Sequence, residues 1–85
     1  MTTLAVTTRY FAAARAAAGV TLETLDFSGG TLAQFLPVLR DRHGDELTRL
    51  LECCTFFIDG TSVDDRDAPL GPNSALDVLP PFAGG

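Results

Sequence analysis

The sequence predicts an α+β domain, a mixed four- or five-stranded sheet packed on one main helix. Three observations carry this reading. Apolar and β-branched residues alternate with period two near both ends of the chain. Between them, Leu32, Phe35, Leu36 and Leu39 form an apolar stripe at spacings of three and four. The stretches that join these segments are rich in Gly, Pro and Asp. A helix with one apolar stripe must bury it, and one face of the sheet is the surface available.

Each element has its own signal. Leu4, Val6 and Thr8 alternate with Ala5, Thr7 and Arg9, which predicts a first strand over residues 3–9. The alanine-rich run that follows predicts a helical turn over 11–18, stopped by Gly19. Residues 20–27 form a second strand with Leu22, Leu25 and Phe27 apolar. Its alternation slips near Thr24, where a bulge is expected. Thr31 and Gln34 form a capping box after the loop Ser28-Gly29-Gly30, and Gly44 supplies a stop, so the main helix spans 32–43. Pro37 lies inside it, where a kink is expected at a cost of roughly 3 kcal/mol. Leu47, Leu50 and Leu51 mark a short helical turn over 45–52. Cys54, Phe56 and Ile58 share one face of a strand over 53–59. Asp59-Gly60 is a tight-turn pair from which Thr61 to Val63 returns. Residues 64–74 read as loop. Ala75 to Leu79 is the last strand, with Leu76 and Val78 on one face and Asp77 and Leu79 on the other. The domain is thus 1–79, followed by an extended tail, 80–85.

Size and charge narrow the function classes. Eighty-five residues make one small domain, which buries only about 60% of its unfolded surface. A surface site, or one shared with a partner, is expected. The net charge is −5 and all six basic residues are Arg, which argues against nucleic acid and anionic membrane. No stretch approaches the ~20 apolar residues of a membrane span. Arg9 and Arg15 interrupt the apolar N-terminal segment, so no signal peptide is expected. Cys53 and Cys54 are neighbours on a strand and point to opposite faces. They are poorly placed to bridge, and a reducing cytoplasm is the expected compartment. His43, in a charged helix end, reads as a solvated cation on the helix dipole. Asp59, Asp64, Asp65 and Asp67 lack calcium-loop spacing, so no metal site is expected. Ser28-Gly29-Gly30-Thr31 lacks the spacing and the Lys of a phosphate loop.

Any chemistry is expected in the tail, for which a frayed, functionless end is the alternative reading. Pro80 and Pro81 lack a backbone donor and keep the chain extended. Six residues at about 3.3 Å each reach roughly 20 Å beyond the sheet. Gly84 and Gly85 carry no side chain, so the tip fits a narrow channel. Its carboxylate is a poor electrophile until an enzyme makes it an acyl-adenylate, and a sulfur nucleophile then yields a thiocarboxylate. If Phe56 and Ile58 face the helix, Phe57 and Leu79 face the open side of the sheet, with Phe11 close by. Such an apolar patch is expected to be a docking surface, with ordinary edge packing as the alternative.

The ending LPPFAGG resembles the Pro-Pro-x-x-Gly-Gly tail of the sulfur-carrier proteins of the molybdopterin synthase small-subunit family. Thr8-Arg9-Tyr10-Phe11-Ala12, followed by a helix and Gly19, is similar to that family's start. IDGTSV, then Pro69-Leu70, a polar loop and DVLPPFAGG, is similar to its C-terminal third. The resemblance implies a ubiquitin-like β-grasp with the last strand beside the first. It implies that the Gly85 carboxylate is adenylated by a ubiquitin-activating-like adenylyltransferase using ATP and Mg²⁺. A sulfurtransferase then makes the thiocarboxylate, and the tail enters a large synthase subunit. There the sulfur passes to cyclic pyranopterin monophosphate. No cofactor is held permanently. Acid, base and phosphate-binding groups belong to the large subunit, which makes this chain the sulfur-donor subunit. Gly85 and Gly84 are then the carrier residues; Phe11, Phe57, Leu79, Pro80, Pro81, Phe82 and Ala83 meet the partners. Phe82 is larger than the small aliphatic residue expected there. A carrier of the same fold for thiazole or cysteine synthesis, a ubiquitin-like modifier and a plain interaction domain are the competing readings.

Overall fold

The computed structural model of the chain describes residues 5–81. The first strand, β1 (Ala5–Tyr10), turns Val6, Thr8 and Tyr10 inward, all three fully buried. Phe11 continues in extended backbone and begins α1 (Ala12–Ala18). Gly19 ends that helix in the left-handed region, φ 79°, with its N–H on the Arg15 carbonyl. Then follow β2 (Leu22–Asp26), β3 (Gly30–Thr31), α2 (Leu32–His43), α3 (Asp45–Leu51), β4 (Thr55–Ile58), β5 (Thr61–Val63), β6 (Pro69–Leu70) and β7 (Ala75–Leu79).

Five strands make one sheet in the order β2-β1-β7-β4-β5, and β3 and β6 form a separate two-residue ladder. β7 lies between β1, parallel to it, and β4, antiparallel to it. The last strand therefore sits beside the first, at the centre of a mixed sheet, with the helices on one face. This is the ubiquitin-like β-grasp. Leu32, Phe35, Leu36 and Leu39 of α2 are all buried and form one core with Leu47 and Leu51 of α3 and Val6, Tyr10, Phe56, Leu76 and Val78 of the sheet.

The helix start and stop follow the local chemistry. Thr31 Oγ1 accepts from the Gln34 N–H at 3.2 Å, and Gln34 Oε1 accepts from the Thr31 N–H at 2.9 Å, which is the reciprocal capping box. α2 runs from Leu32 to His43 through Pro37. Pro37 and Ala33 are both exposed, so the Ala33 carbonyl that loses its usual N–H donor can turn to water. The Asp59-Gly60 turn has positive φ at both residues, 50° and 85°, as a two-residue hairpin requires. Asp59 also ties the turn to the start of β7, with its N–H on the Ala75 carbonyl and its Oδ1 accepting from the Ala75 N–H.

The expected bulge at Thr24 is absent. β1 and β2 pair without a break from Ala5↔Asp26 to Arg9↔Leu22. The alternation slips for another reason. Leu25 and Glu23 point inward opposite Val6 and Thr8, whereas Leu22 points outward and is 52% exposed. Polarity is thus exchanged between two neighbouring positions of an edge strand.

Thr8 is fully buried, and its Oγ1 has no hydrogen-bond partner among the described residues. An unpaired buried hydroxyl costs about 1 kcal/mol or more. Thr8→Val keeps the shape and removes the orphan oxygen. Its thermal midpoint is expected to rise by about 4–8 °C. An unchanged or lower midpoint in calorimetry would mean that Oγ1 is satisfied in solution.

Candidate functional site

The outer face of the sheet, away from the helices, carries the residues expected to meet a partner. Pairing sets one row across four strands, Leu22↔Arg9↔Asp77↔Phe57. Leu79 lies two residues beyond Asp77 on β7, so it shares that face. Phe11 lies two residues beyond Arg9 in extended backbone, with its N–H on the Val78 carbonyl at 3.1 Å. Phe11, Phe57 and Leu79 are each half-buried, and the fold brings all three together. Pro80, expected to be open to a partner, is instead buried within the chain, because it directly follows the central strand; Pro81 is exposed. Phe82, Ala83, Gly84 and Gly85 lie outside the described residues.

The patch also holds an ion pair that sequence reading missed. Arg9 Nε donates to Asp77 Oδ1 at 2.7 Å and Nη2 donates to Oδ2 at 2.8 Å. The guanidinium carbon stands 5.6 Å from the centre of the Phe11 ring. The two residues are 68 positions apart. Their pairing is visible only once β1 and β7 are placed side by side.

A second polar cluster lies on the helix side, at the edge strand β2. Glu23 Oε2 accepts from the Tyr10 hydroxyl at 2.6 Å, and Oε1 accepts from Arg42 Nε at 2.6 Å. His43 Nε2 also bonds Glu23 Oε2. The Tyr10 and His43 rings meet edge to face, centres 5.5 Å apart. The His43 side chain is only 8% exposed. His43 is therefore not the solvated cation expected, since the last turn of α2 folds it under against β1 and β2. Burial by itself pushes the Glu23 carboxyl up, but the hydrogen bonds from Tyr10, His43 and Arg42 outweigh it, and the group titrates below the ordinary carboxylate value. Burial, then Glu23, pushes the Tyr10 hydroxyl well above its usual range.

This sets the sign of an acid effect. A lowered carboxyl pKa adds stability that is complete above the unfolded value, 4.5, and is lost as pH falls through the folded one. Glu23→Gln is expected to lower stability at pH 7 by about 1–2 kcal/mol. It should also flatten the loss of stability below pH 4.5. Denaturant unfolding across pH checks both, and an equally steep acid limb in the variant would remove Glu23 as its source.

The other candidates stay apart from the outer face. Cys53 is exposed and Cys54 half-buried, and both are free thiols. Burial, then the neighbouring Cys53, pushes the Cys54 thiol up to about 11, so it stays protonated at neutral pH. Asp64, Asp65 and Asp67 are exposed. Arg66 between them turns inward, with Nη2 on the Leu51 carbonyl at 2.8 Å and the guanidinium over the Phe56 ring. Among the described residues, no three acidic, His or Cys side chains gather as a metal site, and no pocket opens. No described helix is long and apolar enough to cross a membrane.

Comparison with known proteins agrees with this architecture. A SAMP1 structure from Haloferax volcanii matches with a TM-score of 0.79 at 19% identity, over 95% of this chain and 99% of that one. The HVO 2177 protein of the same organism matches with a TM-score of 0.79 at 24% identity, over 98% and 88%. A protein–protein complex of subunits 1 and 2 of the molybdopterin-converting factor from Helicobacter pylori gives 0.70 at 20% identity, over 96% and 100%. These likenesses show the fold. No curated protein matches the sequence. The ThiS family model matches residues 8–85, and with that coverage the chain belongs to the ThiS family of ubiquitin-like sulfur carriers.

Proposed function

We propose that this chain is the small subunit of molybdopterin synthase, working in the reducing cytoplasm and carrying sulfur on Gly85. The observation that carries the reading is the joining of two features on one strand. β7 presents Leu79 on the outer face beside Phe11 and near Phe57, and the LPPFAGG tail leaves directly from its end. A partner seated on that face therefore receives the tail at a fixed root, where Pro80 is buried and Pro81 exposed.

The chemistry follows from the terminal group. An adenylyltransferase joins the Gly85 carboxylate to AMP with loss of pyrophosphate from Mg-ATP. AMP then leaves as the terminal sulfur of a sulfurtransferase persulfide attacks the acyl carbon. A second thiol reduces the acyl disulfide so formed, releasing the thiocarboxylate and leaving the sulfurtransferase in a disulfide with that thiol. The resulting thiocarboxylate is a mobile donor. Phe82, Ala83 and Gly84 thread it into the large subunit, which supplies the acid–base groups for transfer to cyclic pyranopterin monophosphate. The Helicobacter pylori neighbour, seen as a complex of subunits 1 and 2, supports a large-subunit partner here.

Reconstitution tests this. Thiocarboxylated carrier, large subunit and cyclic pyranopterin monophosphate are expected to yield molybdopterin, with two carriers consumed per product. A loaded carrier that yields none with a competent large subunit would assign it to thiazole or cysteine synthesis. Isopeptide-linked targets in cell extract would assign it to protein modification.

A further inference from the structure

Arg9 is the only arginine on a strand; the other five lie in α1, α2, α3 or the loop after β5. It stands in the middle of the outer face, in register with Leu22 on one side and Asp77 on the other. The Asp77 carboxylate grips it through two hydrogen bonds, and the Phe11 ring lies beside it. An arginine held on two sides has already lost most of its side-chain freedom, so docking need not order it again.

A guanidinium has five N–H groups, and Asp77 takes one from Nε and one from Nη2. Three donors are left. The Arg9 side chain is 51% exposed, against 14% for Asp77, so water serves them in the free chain. A partner that covers Phe11, Phe57 and Leu79 also covers Arg9. A wholly apolar partner surface would bury three donors without acceptors, at a loss of about tenfold in affinity for each. A partner that binds must therefore offer oxygen acceptors at that point.

We infer that Arg9, positioned by Asp77, is a specificity-determining anchor of the docking face, selecting a partner protein whose apolar contact surface carries acceptor oxygens opposite residue 9. This rests on the reading that the outer face docks the large subunit. The Arg9–Asp77 pair is neutral as a unit, so its complement is carbonyl-type oxygen rather than surplus charge. Its effect belongs to dissociation, not to long-range steering.

The test uses purified large subunit and surface plasmon resonance at low and high salt. Arg9→Met keeps the apolar stem and removes the donors. Its koff is expected to rise by about 10–100-fold, with kon within threefold of wild type at both salt concentrations. Arg9→Lys is expected to recover only part of the loss, because an ammonium lacks the planar fork. Asp77→Asn, which loosens the grip but keeps the guanidinium, is expected to fall between wild type and Arg9→Met. Arg9→Met strips the 14% exposed Asp77 side chain of its ion pair, so the double variant Arg9→Met/Asp77→Asn, expected to raise koff as much as Arg9→Met alone, separates the lost donors from a stranded carboxylate. Wild-type binding with an Arg9→Met koff within threefold of wild type would overturn this inference alone. Failure of the wild-type chain to bind would overturn the large-subunit reading, and this inference with it.

Discussion

Deleting Gly85 is expected to abolish sulfur loading while leaving the domain as stable as before. In the proposed reaction the reacting group is the carboxylate of residue 85, so the position of that carboxylate decides the outcome. Removing one residue withdraws the carboxylate by about 3.5 Å. A misplacement of even ~1 Å can cost about 100-fold in rate. Adding one Ala after Gly85 is expected to fail for two reasons. It shifts the carboxylate forward by the same step and puts a methyl group beside the reacting carbon. The core is built from residues between Val6 and Val78, so neither change touches it. Both variants should still bind the large subunit through the sheet face. A Gly85 deletion that accepts and donates sulfur at the wild-type rate would leave the tail without the role proposed.

Phe57→Asp is expected to weaken binding to the large subunit by about 100-fold or more. Phe57 is half-buried on the outer face, in register with Asp77. A carboxylate there would be taken out of water against an apolar partner surface. It would also stand opposite Asp77, whose only salt-bridge partner among the described residues is Arg9. Phe57→Ala removes the ring without adding charge, and a loss of about tenfold is expected. Calorimetric titration against the large subunit reads both. Full affinity in the two variants, with thermal unfolding unchanged, would take Phe57 out of the interface.

The residues differ in how openly the sequence declares them, and the difference is one of range. The helix over 32–43 was legible because every signal for it is local: the stripe from Leu32 to Leu39, the Thr31–Gln34 cap and Gly44. The patch of Phe11, Phe57 and Leu79 was legible because strand parity assigns a face without knowledge of the neighbouring strand. The Glu23 cluster was not. In an edge strand Glu23 reads as a solvent-facing position, and its partners Tyr10, Arg42 and His43 lie 13, 19 and 20 residues away. The β3–β6 ladder was missed because two residues are too few for a period to show. The central place of β7 came from likeness to a known fold, since parallel pairing between the two ends of a chain leaves no local mark.

Sulfur carriage by the C-terminal glycine can be read as mass. The most direct measurement is the intact mass of the chain after co-expression with an activating adenylyltransferase and a sulfurtransferase. Replacing one carboxylate oxygen by sulfur adds about 16 Da, and fragmentation should place that gain on Gly85. A mass unchanged in the presence of a functioning activating enzyme and ATP, or a gain that maps to Cys53 or Cys54 instead, would contradict it.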